Sequence, residues 1–359
     1  MTTIYIDTNI FMNERFFRSA SAQAFLKACS LLQITVVIPD VVLDEVLGNF
    51  PRRLTEKFSK FKQAHRELNG LVDLTSIPFD LSSEIDSYKD WLLELIEQSG
   101  VVIAAYPDVS AKELVLKSYE GRKPHKEGGE GYKDYLVWQT IKEHILAKTS
   151  TPPNIFLTQN TKDFGVRDGN EKSVLHPDLA GQIAEIQRRP KIYTSMKSAF
   201  DQHLAPSFQD IALQDIPEID VNKIQNMVEK HLLDDLSLRT AFGFEDVPFS
   251  NDVSITGVGD ANISEIQLTK VSDEIIITVI GIVEIEVEGF IDKHSYYLGS
   301  EDEVDISIVD ADWNDHVMAV GVEVDTAFEL RLFYSMVDKE VTAHELTLPQ
   351  EIEDDWPYK

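Results

Sequence analysis

Residues 3–11, which read Thr-Ile-Tyr-Ile-Asp-Thr-Asn-Ile-Phe, decide the fold prediction. The apolar run at 3–6 predicts a short buried strand, and it leads directly into Asp7, where the chain turns. In an open α/β sheet the carboxyl ends of the strands border the crevice in which ligands bind, so Asp7 is well placed for chemistry. For Asp7 taken alone, an ordinary helix N-cap is an equally good interpretation.

Three further carboxylates occupy related positions in the chain. Glu45 falls in the first turns of a helical pattern that follows a strand-like segment at 35–39. Asp134 begins a helix whose apolar residues predict burial, and Asp163 follows another strand-like segment at 154–158. A solvated helix-face side chain is the alternative for Glu45 alone. Taken together, the four positions predict acidic side chains that meet at one edge of a sheet.

The four segments, in their residue types and order, resemble those of PIN-domain nucleases, and the resemblance covers about residues 1–190. It is closest to a large PIN-like branch in which a Gly-aromatic-basic-Asp run, here 131–134, opens a helix that carries a Trp. The resemblance implies a Rossmann-like α/β domain with a parallel central sheet. It also implies metal-binding and catalytic carboxylates at Asp7, Glu45, Asp134 and Asp163, an additional metal-binding carboxylate at Glu130, and orienting side chains at Asn9, Thr158 and Asn160.

The chemistry of such a cluster follows from its charge. Three or four carboxylates within a few ångströms repel one another, and a hard divalent cation relieves that repulsion. Mg²⁺ or Mn²⁺ is the expected cofactor, because both bind oxygen ligands, polarise a phosphoryl group and lower the pKa of a bound water. The predicted function is a metal-dependent endoribonuclease that hydrolyses RNA, with single-stranded DNA as the alternative substrate. The sequence leaves open whether Glu45 binds the metal or orients the attacking water.

Other catalytic classes lack their signatures in this chain. There is no Gly-x-Ser-x-Gly, His-Glu-x-x-His or Gly-x-x-x-x-Gly-Lys-Ser/Thr motif. The single cysteine, Cys29, excludes an internal disulfide and a zinc site built from several thiolates. A phosphatase of the haloacid dehalogenase type needs a second Asp where this chain has Asn9. The main alternative to an enzyme is a non-catalytic PIN-like scaffold, or a protein-binding module, in a larger assembly.

A Gly-rich segment at 120–131 leads into the helix of Asp134 and carries several cationic side chains. A cationic loop beside a metal cleft can bind phosphates. Nucleic-acid binding is therefore predicted for Arg122, Lys123, Lys126 and Lys133. A solvated surface loop with incidental charge is the alternative.

Charge divides the chain into two unlike halves. Residues 1–195 carry 24 Lys and Arg against 26 Asp and Glu, a net charge of −2, whereas residues 196–359 carry 9 against 36, a net charge of −27. We predict a PIN-like domain at 1–195, a helical linker at 196–245 and an acidic β-rich domain at 246–359, where apolar and acidic residues alternate. So acidic a half should repel nucleic acid, which points instead to a protein partner or a homo-oligomer.

The predicted location of the protein is the cytoplasm. The chain contains no apolar run of about 18 residues, so no membrane segment is expected. It also shows no secretory leader at its start and cannot form an internal disulfide. These features together favour an intracellular nuclease over a secreted or membrane-bound one.

Overall fold

A computed structural model describes residues 2–71, 79–125, 131–148, 153–168, 172–184, 189–237, 239–242, 252–271, 273–294, 306–349 and 351–353. By their internal contacts the residues divide into two units, Met1–Ser207 and Phe208–Lys359. The predicted division into a PIN-like domain at 1–195, a helical linker at 196–245 and an acidic β-rich domain at 246–359 stays a prediction. Among the described residues, no helix combines the length and the apolar character that crossing a membrane requires.

A single sheet organises the first unit. Its strands are β1 Thr3–Ile6, β2 Thr35–Pro39, β3 Val102–Ala104, β4 Asn154–Leu157, β5 Gly165–Asp168, β6 Lys172–Leu175 and β7 Lys191–Tyr193. In the described part of the chain these seven strands lie in the order β3-β2-β1-β4-β7-β6-β5. The first five in that order pair in parallel, whereas β5 and β6 are antiparallel additions at one edge. The predicted α/β fold with a parallel central sheet is confirmed.

Helices connect and cover these strands. They are α1 Thr8–Asn13, α2 Ala20–Leu31, α3 Asp40–Asn69, α4 Leu81–Gln98, α5 Ala111–Glu120, α6 Tyr132–Leu146, α7 Thr161–Phe164, α8 Pro177–Gly181 and α9 Met196–Ala199. Short 3-10 or π turns span Arg15–Phe17, Phe200–Leu204 and Ala205–Ser207. All four residues of β1 are buried, as expected for a central parallel strand that is covered on both faces.

Two helices owe their position to apolar faces that pack into this core. The first turns of α3 bury Val42 and Val46, while the helix continues through Pro51 to Asn69. Helix α6 buries Trp138 and Ile141 completely, and the Trp138 indole N–H donates to Gln182 Oε1 over 3.0 Å. Because both helices begin near strand ends, their first turns lie at the carboxyl edge of the sheet.

The second unit is a predominantly antiparallel sheet with one long helix, α10 Val221–Leu236. A 3-10 turn spans Leu213–Asp215, and the strands are β8 Gln209–Ile211, β9 Thr240–Phe242, β10 Asp252–Val271, β11 Glu274–Asp292, β12 Ser307–Asp310, β13 Val317–Ser335, β14 Val341–Thr347 and β15 Glu351–Glu353. The strand pairs are antiparallel, with β10, β11 and β13 side by side. The β-rich character predicted for this half is confirmed.

The two faces of the second sheet differ in chemistry. One face packs with the apolar side of α10, around Val228, in a continuous core. On the other face, Glu284 lies opposite Asp325 and Glu286 lies opposite Glu323 across β11 and β13. All four carboxylates are exposed, and within the described residues none of them forms an ion pair. The alternation of apolar and acidic residues thus separates a core face from a charged face.

The burial of one face of α6 predicts that alanine substitutions at two aliphatic residues of this helix differ in their effect on stability. Ile141 is 0% exposed and Leu146 is 51% exposed. Ile141→Ala should lower the free energy of unfolding by about 2–5 kcal/mol, because it removes buried methyl groups and leaves a cavity. Leu146→Ala should change it by less than about 1 kcal/mol. Urea unfolding followed by tryptophan fluorescence measures both values, and equal losses would contradict this packing.

Candidate functional site

Asp7 sits between the end of β1 and the start of α1, and its side chain is 4% exposed. Its Oδ1 accepts a hydrogen bond from the Thr8 backbone N–H at 2.8 Å. Its Oδ2 accepts from Asn9 Nδ2 at 2.7 Å and from Thr158 Oγ1 at 2.5 Å. Asp7 therefore does cap α1, as the simpler interpretation of the sequence held. The additional side-chain donors fix the carboxylate in one orientation.

Burial raises the pKa of Asp7 to about 6. The hydrogen bonds from Thr158, Thr8 and Asn9 oppose this rise, and the negative charge of Glu45 adds to it. Burial disfavours a charged carboxylate because it removes solvating water. A cation placed beside Asp7 would favour the ionised form.

Glu45 joins Asp7 through the side chain between them. Thr8 Oγ1 donates to Glu45 Oε2 at 2.9 Å, while the Thr8 backbone N–H donates to Asp7. The other oxygen, Glu45 Oε1, accepts from Lys133 Nζ at 2.7 Å. Thr8 was not among the residues predicted for the site. Its place in the Asp-Thr-Asn run is the signal in the sequence that points to it.

The same network reaches Asp134 by way of the loop after β4. Thr158 Oγ1, which donates to Asp7, accepts from the Asn160 backbone N–H at 3.0 Å. Asn160 Nδ2 approaches Asp134 Oδ1 at 3.4 Å, a long hydrogen bond. On the other side of the loop, the Gln159 backbone N–H donates to Asn9 Oδ1 at 2.9 Å. The ends of β1 and β4 and the start of α6 are thereby joined.

Asp163 lies on α7, in the turn that follows Asn160, and its side chain is 2% exposed. Its Oδ1 accepts from Lys123 Nζ at 2.9 Å. The chain around Lys123 packs against the start of α6 at Gly131, whose φ is 101°. A Cβ at this glycine would lie 2.7 Å from the Pro124 carbonyl oxygen. Only glycine allows both this backbone conformation and this close approach.

Of the four predicted carboxylates, Asp7, Glu45 and Asp134 belong to one hydrogen-bonded network, and Asp163 lies on the adjoining turn in an ion pair with Lys123. Lys123 and Lys133 both lie at the site, but there they pair with carboxylates. Arg122 is exposed. Lys126 and Glu130 lie outside the described residues.

Within the described residues, no three His, Cys, Asp or Glu side chains converge in a way that could hold a metal ion. The donor types nevertheless fit a hard divalent cation, since the network that joins Asp7, Glu45 and Asp134 offers carboxylate oxygens. Two ammonium groups already compensate Glu45 and Asp163. The hydrogen bond to Glu45 raises the pKa of Lys133 above its ordinary value, so this group stays charged. An ion bound by Glu45 or Asp163 would compete with these ammonium groups for the carboxylate charge.

Comparison with known families finds a match within the first unit. Residues 4–164 match the family model of the PIN domain. This part of the chain is a PIN domain. The matched segment spans all four predicted carboxylates, and PIN domains are generally nucleases that use divalent metals. Searches of curated proteins and of solved structures found no significant match to the chain.

The buried charge of Asp7 predicts a pH-dependent effect of its removal. The folded-state pKa of about 6 lies above the ordinary value of 3.8, so the parent loses stability as the pH rises from about 3.8 through 6. Asp7→Asn lacks this loss. In protein without metal, the free energy of unfolding of Asp7→Asn minus that of the parent should therefore rise by up to about 3 kcal/mol from pH 4 to pH 7.

Urea unfolding in EDTA at the two pH values measures this gain. Asp108→Asn serves as the control, because Asp108 is exposed and its substitution should leave the pH profile unchanged. A stability difference between Asp7→Asn and the parent that is the same at both pH values would contradict the assigned burial.

The two ion pairs predict that lysine removal strengthens metal binding. Lys123→Gln and Lys133→Gln remove cations that compete with a metal for Asp163 and Glu45. Each should bind Mn²⁺ roughly tenfold more tightly than the parent, since 1.4 kcal/mol corresponds to one decade. Lys112→Gln removes an exposed lysine on α5 and should leave the affinity unchanged. Electron paramagnetic resonance of free Mn²⁺ measures it, and equal or weaker binding in both site variants would exclude the competition.

Proposed function

We propose that the protein is a metal-dependent nuclease that cleaves RNA at the edge of the first sheet. The observation that carries the proposal is the hydrogen-bonded network that joins Asp7 to Glu45 and Asp134 within a PIN domain. Four carboxylates from four separate segments lie on or beside this network. Structural ion pairing alone does not require so many acidic groups around one buried carboxylate.

The proposed roles follow from the contacts of each side chain. Asp7, Asp134 and Asp163 would hold Mg²⁺ or Mn²⁺, and Glu45 would either bind the ion or orient the attacking water. A bound divalent cation supplies the Lewis acidity that polarises a phosphoryl group and activates water. Asn9, Thr158 and Asn160 orient the carboxylates through the hydrogen bonds described above. Glu130, which lies outside the described residues, stays a candidate from the sequence alone.

Lys123 and Lys133 are proposed to contact the substrate phosphates. In the structure their ammonium groups pair with Asp163 and Glu45. When a cation takes over that compensation, both groups are free to pair with phosphate oxygens at the same edge of the sheet. The exposed Arg122 belongs to the same cationic segment, as does Lys126, which lies outside the described residues. Both are proposed to add to this attraction.

The alternative of a non-catalytic scaffold is less well supported. A scaffold has no need to retain all four carboxylates, and here they remain together with the side chains that orient Asp7. RNA is the proposed substrate on the basis of the resemblance to PIN nucleases, with single-stranded DNA as the alternative. A cytoplasmic location, a homo-oligomer and a protein partner of the acidic unit also stay predictions.

Cleavage assays test the proposal directly. Purified protein should cut single-stranded RNA in the presence of Mn²⁺ or Mg²⁺ and not in EDTA, with structured RNA and single-stranded DNA run in parallel. Asp134→Asn should lower the cleavage rate by about 100-fold or more, because it removes a charged ligand from the ion that stabilises the transition state.

Asp108→Asn is the matched control, since it makes the same chemical change at an exposed position and should cut as fast as the parent. Thermal melting confirms that Asp134→Asn is folded. Cleavage by Asp134→Asn at the parental rate would overturn the assignment of the site. Metal-dependent cleavage of DNA in preference to RNA would overturn the substrate.

A further inference from the structure

A cavity of about 410 Å³ adjoins the Glu45 and Lys133 ion pair. Its walls come from α3, from the segment after β3 and from the first turns of α6, and both members of the ion pair are among its lining residues. Its volume lies in the range of pockets that hold small ligands. A group bound in this cavity would therefore lie directly beside the proposed cleavage site.

Two tyrosines line the cavity with unusually open side chains. Tyr106 is 44% exposed and Tyr132 is 55% exposed. A single exposed aromatic residue on a protein surface needs no explanation. Tyr106 and Tyr132, however, line one cavity beside the proposed cleavage site. They provide flat apolar surfaces at the place where a substrate base would lie. Aromatic side chains of this kind bind unpaired nucleobases by stacking.

The polar groups of the cavity suit the edge of a base. Asp44 Oδ2 accepts a hydrogen bond from the Tyr106 hydroxyl at 2.8 Å. Asn49 Oδ1 accepts from Arg52 Nη2 at 2.8 Å, which fixes the orientation of this amide. A carboxylate repels phosphates, so in a nucleic-acid cleft Asp44 is favourable only if it accepts hydrogen bonds from a base. Guanine offers two adjacent N–H donors, whereas uracil offers one.

We propose that this cavity binds one unpaired nucleobase of the substrate, stacked on Tyr106 and Tyr132, with guanine preferred through Asp44. The proposal rests on the proposed function for the position of the neighbouring phosphate. It deepens that function by assigning a single-stranded substrate and a base preference. A paired base has its hydrogen-bonding edge occupied and cannot enter the cavity.

Binding measurements in EDTA test the subsite without any cleavage. The probes are a fluorescein-labelled five-nucleotide oligouridylate and its variant with one central guanosine, followed by fluorescence anisotropy. The parent protein should bind the guanosine probe more tightly than oligouridylate. Tyr106→Leu and Tyr132→Leu should each weaken its binding roughly tenfold, the scale of one base stacked on an aromatic side chain. Tyr132→Phe keeps the ring and should retain the parental affinity.

Two further variants complete the design. Asp44→Asn should remove the preference for the guanosine probe over oligouridylate. Tyr119→Leu is the control, because Tyr119 on α5 is 84% exposed and does not line the cavity, and it should bind as the parent does. Thermal melting identifies any variant that fails to fold. If a leucine variant does not fold, Tyr132→Phe and Asp44→Asn still test the subsite, because the first should keep the guanosine preference of the parent and the second should lose it.

The outcomes separate the subsite from the nuclease activity. Unchanged affinity in both leucine variants overturns the subsite whether or not the protein cleaves RNA. Loss of affinity confined to those two variants supports the subsite. If the protein also fails to cleave RNA with Mn²⁺ or Mg²⁺, only the proposed catalysis is overturned. Equal binding of the two probes by the parent overturns the guanine preference.

Discussion

The buried carboxylate of Asp7 is the constraint on which the proposed site depends. An ionised carboxylate with 4% exposure is stable only when protein groups replace the lost water. Thr8, Asn9 and Thr158 supply that replacement from two different strand ends. Because the hydrogen bonds need both ends in register, the pairing of β1 with β4 and the geometry of the carboxylate depend on each other.

Charge compensation then links the groups proposed to bind the metal with those proposed to bind phosphate. Lys123 and Lys133 reach the carboxylates from two segments of the chain, one before residue 125 and one after residue 131. The close approach of Gly131 to Pro124 holds the chain near both positions. A divalent cation and these two ammonium groups compete for the same negative charge, so cation binding and phosphate binding should favour each other. Under the proposed function, the two lysines neutralise the carboxylates without metal, and phosphate binding becomes stronger once a divalent cation is bound.

In the acidic second unit, apolar packing offsets repulsion between like charges. Its long strands place like charges directly opposite one another, as with Glu286 and Glu323, and such pairs are destabilising. Gly257, which pairs with Glu286 on the other side, leaves that side chain room, since a Cβ there would lie 3.0 Å from the Glu286 carboxylate. The apolar face against α10 supplies the compensating stabilisation. A surface of this charge is suited to contacts other than nucleic acid.

The sequence by itself determined the elements and their chemistry. Apolar runs that end near Asp7, Glu45 and Asp163 predicted the parallel sheet, because a fully buried strand leaves a visible apolar signal. The signal is weaker in β13, where the buried Thr326 and the exposed Ala327 interrupt the apolar alternation. The pattern alone therefore does not show that Val317–Ser335 forms one continuous strand.

The tertiary structure alone decided the contacts between elements. Thr8 bridges two carboxylates, Lys133 pairs with Glu45, and Tyr106 and Tyr132 line one cavity. None of these contacts has a local signature, since a periodic pattern reports only which side of one element is buried. Residues that are far apart in the chain meet at this edge because several helices and strands pack together, and only their joint packing brings the side chains within hydrogen-bonding distance.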